Sequence, residues 1–214
     1  MTIRRGGGLT LAYYIPGNDA SRNPDWWNDL EITESNLSAI VNEVRVRADS
    51  TGYRIPTEAQ WEFAAKGGSY QSPYSFSGGA TLDEVAWYAG NSAEGHTFTH
   101  NAGRGTRAVG GKRANALGIH DMSGNVFEWV WDWAMDYDQD NFPSNNAPGE
   151  VVDPTGPLTA TGNSRVFRGG SWDNQPSQIR LVNRGSMSPE SSPAGFLVWG
   201  VGNNIGFRVA RPAP

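Results

Sequence analysis

The chain has 214 residues, with 17 Lys and Arg against 22 Asp and Glu, a formal net charge of −5 and no cysteine. That length fits one domain with a substantial core. The charge removes the attraction for phosphate that non-specific nucleic-acid binding needs, and without thiols there is no disulfide, thiolate metal site or cysteine nucleophile.

Only 37% of the residues are hydrophobic, yet there are 27 Gly, 13 Pro and 9 Trp. This describes a loop-rich protein with a core of large aromatics and argues against a helical bundle. The opening MTIRRGGGLTLAYYIPG lacks a long apolar stretch and a small-residue cleavage site, so it reads as a poor signal peptide. The most apolar run, residues 194–202, falls well short of the ~20 residues a transmembrane helix needs.

Residues 1–32 read as short strands and turns anchored by Trp26 and Trp27. Leu37, Ile40, Val41 and Val44 follow the spacing of one helical face and predict an amphipathic helix over 33–48. Thr57 with Gln60 three residues on predicts a boxed helix start, and Gly67-Gly68 predicts its end. Residues 69–116 are dominated by Gly, Ser, Thr, Asn and Ala; they are expected to form ordered loop with short strands, too polar for a core. Residues 126–133 alternate strictly, which predicts a strand with Phe127, Trp129, Trp131 and Trp133 on one face and Val126, Glu128, Val130 and Asp132 on the other. Further strands are predicted over 165–168, 179–184 and 205–211.

Several motifs carry little chemistry. His96 and His100 have the spacing of a helical zinc pair but sit in a loop-like context. Asp136, Asp138 and Asp140 begin an EF-hand pattern, but Asn141 replaces its glycine and Ala147 its final Glu. Gly200-Val201-Gly202 lacks the third glycine of a dinucleotide cradle, and no G-x-S-x-G elbow is present.

Four stretches are more informative as an ordered set: YRIPTEAQWEFAA at 53–65, LGIHDMSGNVFEW at 117–129, RGGSW at 168–172 and NIGFR at 204–208. Together they resemble the formylglycine-generating-enzyme (sulfatase-modifying-factor) family over residues 53–211. The resemblance implies an α+β, C-type-lectin-like fold of that subclass. It implies a single domain over 1–214, with 1–32 as an atypical N-terminal extension and 165–211 as a C-terminal variable region. In that family, copper-dependent oxidation of a sulfatase cysteine depends on two cysteines just after the Gly-Gly-Ser-aromatic stretch, the first falling about where Asn174 stands. Amides and hydroxyls cannot replace a soft Cu(I) ligand, so this chain is expected not to be an enzyme of that kind. A related iron-dependent branch needs a histidine cluster from a companion domain, and three scattered histidines argue against it.

The C-terminal segment also resembles the variable regions of proteins diversified by retroelements, in which template adenines are copied with errors. Asn codons then scatter into Asp, Ser, Gly and similar residues. The candidate ligand-binding positions are Asp173, Asn174, Gln175, Ser177, Gln178, Asn183, Gly185, Ser186, Ser188, Glu190, Ser191, Phe196, Trp199 and Asn203, set between Trp172, Arg180, Arg184 and Gly206-Phe207-Arg208. Gln175, Gln178 and Glu190 do not derive simply from an Asn codon, and an ordinary polar loop is the plainer alternative. Phe196 and Trp199 beside small polar residues have the composition of a paratope, or else cover one end of a sheet.

The resemblance implies display of this surface to a protein or other macromolecular target, with no nucleic acid, no membrane span and no required cofactor. Its alternative is a cysteine-less pseudoenzyme or accessory protein. It also implies a structural calcium, with Asp121 and Glu128 as carboxylate ligands and Gly124 and Val126 as carbonyl ligands. The competing expectation is that Glu128 pairs with one of Arg168, Arg180 and Arg208.

Overall fold

The computed structural model describes residues 13–14, 45–46, 52–93, 104–135, 154–157, 164–188 and 204–211. The chain divides into two compact units, residues 1–55 with 209–214, and residues 56–208.

In the smaller unit, β1 (Tyr13–Tyr14) pairs antiparallel with β2 (Arg45–Val46), with Tyr13 opposite Val46. Arg54 and Ala210 exchange two backbone hydrogen bonds of 2.8 Å. The helix expected over 33–48 is corrected at its end by β2. Val44-Arg45-Val46-Arg47 alternates β-branched with charged residues, and that two-residue period suits a strand better than a helical turn. The rest of that helix, Trp26 and Trp27 lie outside the described residues, as do His96, His100 and the acidic run from Asp136.

The larger unit begins with α1 (Glu58–Ala65). Thr57 Oγ1 accepts the Gln60 N–H at 3.3 Å and Gln60 Oε1 accepts the Thr57 N–H at 3.2 Å, closing the expected capping box. A third acceptor comes from far along the chain, where Asp132 Oδ2 takes the Glu58 N–H at 2.6 Å. The helix stops at Gly67 and Gly68, whose φ angles of 77° and 81° are open to glycine at no steric cost.

The stretch expected to be too polar for a core contributes one. Helix α2 (Leu82–Val85) leads into Val85 and Ala86, which are buried against Ile179 with Phe76, Leu82 and Tyr88 around them. Two buried hydroxyls of this stretch are satisfied by backbone carbonyls. Ser77 Oγ donates to the Ala65 carbonyl at 2.7 Å and Ser92 Oγ to the Trp172 carbonyl at 2.9 Å.

The sheet has four strands in the order β5-β4-β3-β6. Central β3 (Phe127–Trp133) runs antiparallel to β4 (Arg165–Arg168) and parallel to β6 (Ile205–Phe207), while β5 (Arg184–Met187) pairs antiparallel with β4 at the edge. The strand expected over 179–184 is therefore displaced. Pro176 opens a 3-10 turn (Pro176–Gln178) and residues 179–183 form a turn before β5. Ile179 and Leu181 are both buried, which imitates a strand period, but Ile179 packs on Val85 and Leu181 joins the main core. The last strand is likewise shorter than the expected 205–211.

The main core gathers Trp61, Ala65, Met122, Val130, Val166 and Leu181 between α1 and one face of the sheet. Among the described residues no helix is long and apolar enough to cross a membrane.

Candidate functional site

Strand register sorts the sheet into two rows. Arg184, Arg168, Glu128 and Gly206 stand side by side across the four strands, and so do Gly185, Phe167, Trp129 and Phe207 one residue along. Adjacent residues of a strand face opposite ways, so the first row lies under α1 and the second on the outer face. The burial is the reverse of the usual pattern. Glu128, Val130 and Asp132 of β3 are buried, while Phe127, Trp129 and Trp131 stay partly open.

The inner charges are matched. Arg168, 1% exposed, holds Glu62 at 2.6 Å and Glu58 at 3.4 Å and donates to the Leu181 carbonyl at 2.9 Å. Arg184 Nε lies 2.9 and 3.0 Å from the two Glu58 oxygens, and its Nη1 donates to the Met135 carbonyl at 2.8 Å. Asp132 lies beside Glu58, and burial pushes its carboxyl up to about 6, against the lowering effect of the Glu58 N–H.

After β4 the chain turns through Gly169 and Gly170, with φ of 93° and 73°. A Cβ on Gly170 would meet Ile179 Cγ2 at 2.2 Å, so the glycine pair is required by both conformation and space. This turn places Trp172, 1% exposed, in the interior and starts the polar segment. Asn125, with φ of 62°, braces it from below. Its carbonyl accepts the Trp172 N–H at 2.8 Å, its N–H donates to the Trp87 carbonyl at 2.8 Å, and its amide exchanges hydrogen bonds with the Arg107 backbone.

Beside the outer face is a groove of about 920 Å³, lined by Phe127, Phe167, Gly170, Asn174, Gln178, Val182, Asn183 and Gly185, with Glu62, Arg168 and Arg184 also reaching it. Of the sequence candidates, the fold thus brings together Asn174, Gln178, Asn183 and Gly185. Three of these side chains also build the turn. Asn174 Oδ1 accepts from Ser171 N–H at 2.8 Å and Ser171 Oγ at 2.9 Å. Gln178 Oε1 accepts the Gln175 N–H at 2.9 Å, and Asn183 Nδ2 donates to the Ser177 carbonyl at 2.5 Å.

Asp173 is turned aside into an ion pair with Arg104 at 2.9 Å. Gln175 and Ser177 are exposed on the turn. Ser186 pairs with Val166 and so faces away from Gly185, and Ser188 does not line the groove. Glu190, Ser191, Phe196, Trp199 and Asn203 lie outside the described residues. Sequence reasoning missed Phe127 and Phe167 as groove residues, although the alternating aromatics of β3 had signalled an aromatic face.

The family-implied calcium ligands meet a different cation. Arg208 Nε and Nη2 each lie 2.5 Å from a Glu128 oxygen, the Trp61 indole N–H donates to Glu128 Oε2 at 2.6 Å, and Arg208 Nη2 also reaches the carbonyls of His120 and Asp121 at 3.3 and 3.5 Å. Asp121 Oδ2 accepts the Gly110 N–H at 2.7 Å. Glu128 is thus engaged on both oxygens and in this arrangement is not free to hold a calcium ion, while Asp121 Oδ1 is buried with no hydrogen-bond partner among the described residues. The competing expectation for Glu128 matches the geometry, with Arg208 as the partner.

Comparison with known proteins places this geometry. The chain matches the "Sulfatase-modifying factor enzyme 1-like domain" over residues 15–213, which extends the resemblance upstream of Tyr53 into the stretch expected to be atypical. It is 35% identical over 179 residues to the formylglycine-generating enzyme of Streptomyces coelicolor, covering 80% of this chain and 51% of that protein. It is 34% identical over 175 residues to the chaperone protein LppX of Paenibacillus barcinonensis, covering 78% and 52%. The chain thus spans about half the length of these relatives. Among solved structures, Treponema denticola variable protein 1 is similar, with a TM-score of 0.66 and 30% identity over 95% of this chain and 63% of that one. The α+β fold is consistent with this family, and the chain belongs to the sulfatase-modifying factor enzyme 1-like domain family.

Proposed function

We propose that this domain is a binding module that presents the groove and the adjoining 173–178 turn to a protein or other macromolecular target, without catalysis, and that its C-terminal segment is diversified by a retroelement. The observation that carries the reading is the role of Asn174, which lies about where the family resemblance places the first reactive cysteine. Its amide closes the Ser171 turn at 2.8 and 2.9 Å, and an amide cannot serve as a thiol. Around it, buried Trp172 and the paired Arg168 and Arg184 fix the backbone, while Gln175 and Ser177 stand open to solvent. A rigid scaffold under exchangeable surface residues suits recognition. The likeness to Treponema denticola variable protein 1 supports the same reading.

The similarity to formylglycine-generating enzymes favours a second reading, a cysteine-less relative acting as an accessory protein. The DNA flanking the gene separates them. A reverse transcriptase gene and a near-copy of the 3′ end differing only at adenines are expected; their absence leaves the accessory reading.

A further inference from the structure

Gly185 lies on the edge strand β5, opposite Phe167 of β4. Its backbone is not in the left-handed region, so conformation alone does not demand glycine there. Space does. A Cβ at this position would lie 2.2 Å from Phe167 Cε2 and 2.4 Å from Cζ, with no other neighbour as near. The obstacle is the far end of one side chain. The same ring stacks edge-on against Phe127 at 4.8 Å between centroids and against Trp129 at 5.7 Å, and Phe127, Phe167 and Gly185 all line the groove. An aromatic ring laid over an edge glycine is a recognised way of covering that glycine in a sheet.

The geometry points to residue 185 as the position that sets the shape of the groove, acting through Phe167. With glycine, the ring stays in its stack and the groove keeps its present form. With any larger residue, the ring must leave the stack, and the open side available to it is the groove. One substitution then changes the contact surface several ångströms from its own side chain. This separates position 185 from Gln175 and Ser177, where a new side chain changes only what it presents itself. The biological sense of the inference rests on the binding reading above, but the steric coupling does not.

The test is Gly185→Ala, alone and combined with Phe167→Ala. In the single variant, nuclear Overhauser contacts from the Phe167 ring to Phe127 and Trp129 are expected to disappear, and Tm to fall by about 5 °C. In the Phe167→Ala background the same change at 185 is expected to leave Tm where it was. Retained ring contacts in the single variant, or an equal fall in Tm in both backgrounds, would overturn the inference. If Gly185→Ala alone does not fold, a folded double variant supports the coupling, and a double variant that is unfolded while Phe167→Ala alone is folded refutes it. A missing reverse transcriptase gene would remove the diversification reading without touching this result, and an unmoved ring would do the reverse.

Discussion

The two faces of the four-stranded sheet differ in what they bury. The inner face carries Arg184, Arg168 and Glu128 in one row, matched by Glu58 and Glu62 of α1 and by Arg208. The outer face carries Gly185, Phe167, Trp129 and Phe207, with Phe207 56% exposed. The inner face also carries Val130 and Val166 of the main core, so charged and apolar groups share it. Charged groups inside are costly to desolvate and are held here by directional hydrogen bonds, so this face has few alternatives. Aromatics outside need little from their neighbours and leave contact area for a target. The inner face therefore specifies the fold, and the outer face is the one that the proposed binding role would use.

Substitution should expose this asymmetry, most strongly inside. Arg168→Leu leaves Glu58 buried beside Asp132 with one cation fewer, and is expected to cost about 3–5 kcal/mol in urea unfolding. A smaller effect is expected from Asp132. Its folded value of about 6 lies above the ordinary 3.8, so the folded chain binds more protons than the unfolded chain in that window. The stability this group contributes is full below about pH 4 and is lost as pH rises to about 6, by on the order of 2–3 kcal/mol. Asp132→Asn keeps an acceptor for the Glu58 N–H, and the difference between the two unfolding curves at pH 4.5 and 7 should flatten accordingly.

At the groove, Asn174→Ala strips the acceptor from Ser171 N–H and is expected to cost about 1–2 kcal/mol by thermal unfolding. Adding calcium or a chelator should leave Tm unchanged, because Arg208 already supplies the cation to Glu128. A calcium-dependent rise in Tm would show that Arg208 yields that place. Ser177→Ala and Gln175→Ala, on the open turn, should each change stability by less than about 0.5 kcal/mol. A large loss at either would mean that the turn belongs to the scaffold.

The sequence made local features legible and hid those that depend on register. Helix α1 was readable because Thr57, Gln60 and Gly67 act within a few residues of one another. Strand β3 was readable because alternation is local, but which of its faces is buried was not, since that is decided by arginines 40 to 80 residues away on β4 and beyond. The strand expected at 179–184 failed because Ile179 and Leu181 are two apart yet serve two different clusters. Within the candidate set, Gly185 and Ser186 are neighbours in sequence and opposites in the sheet, and only pairing with β4 separates them. Phe167 had no motif to mark it.

The ion pairs also bear on synthesis. Glu58 waits 126 residues for Arg184, Glu62 waits 106 for Arg168, and Glu128 waits 80 for Arg208. Pairing over such distances is slow and forms late. On the ribosome, α1 can fold its capping box and its Glu62–Lys66 pair early, but Glu58 remains without Arg168 and Arg184 until the C-terminal strands emerge. A nascent chain halted before Arg208 would leave Glu128 without that cation. The C-terminal strands thus complete the fold by supplying Arg168, Arg184 and Arg208.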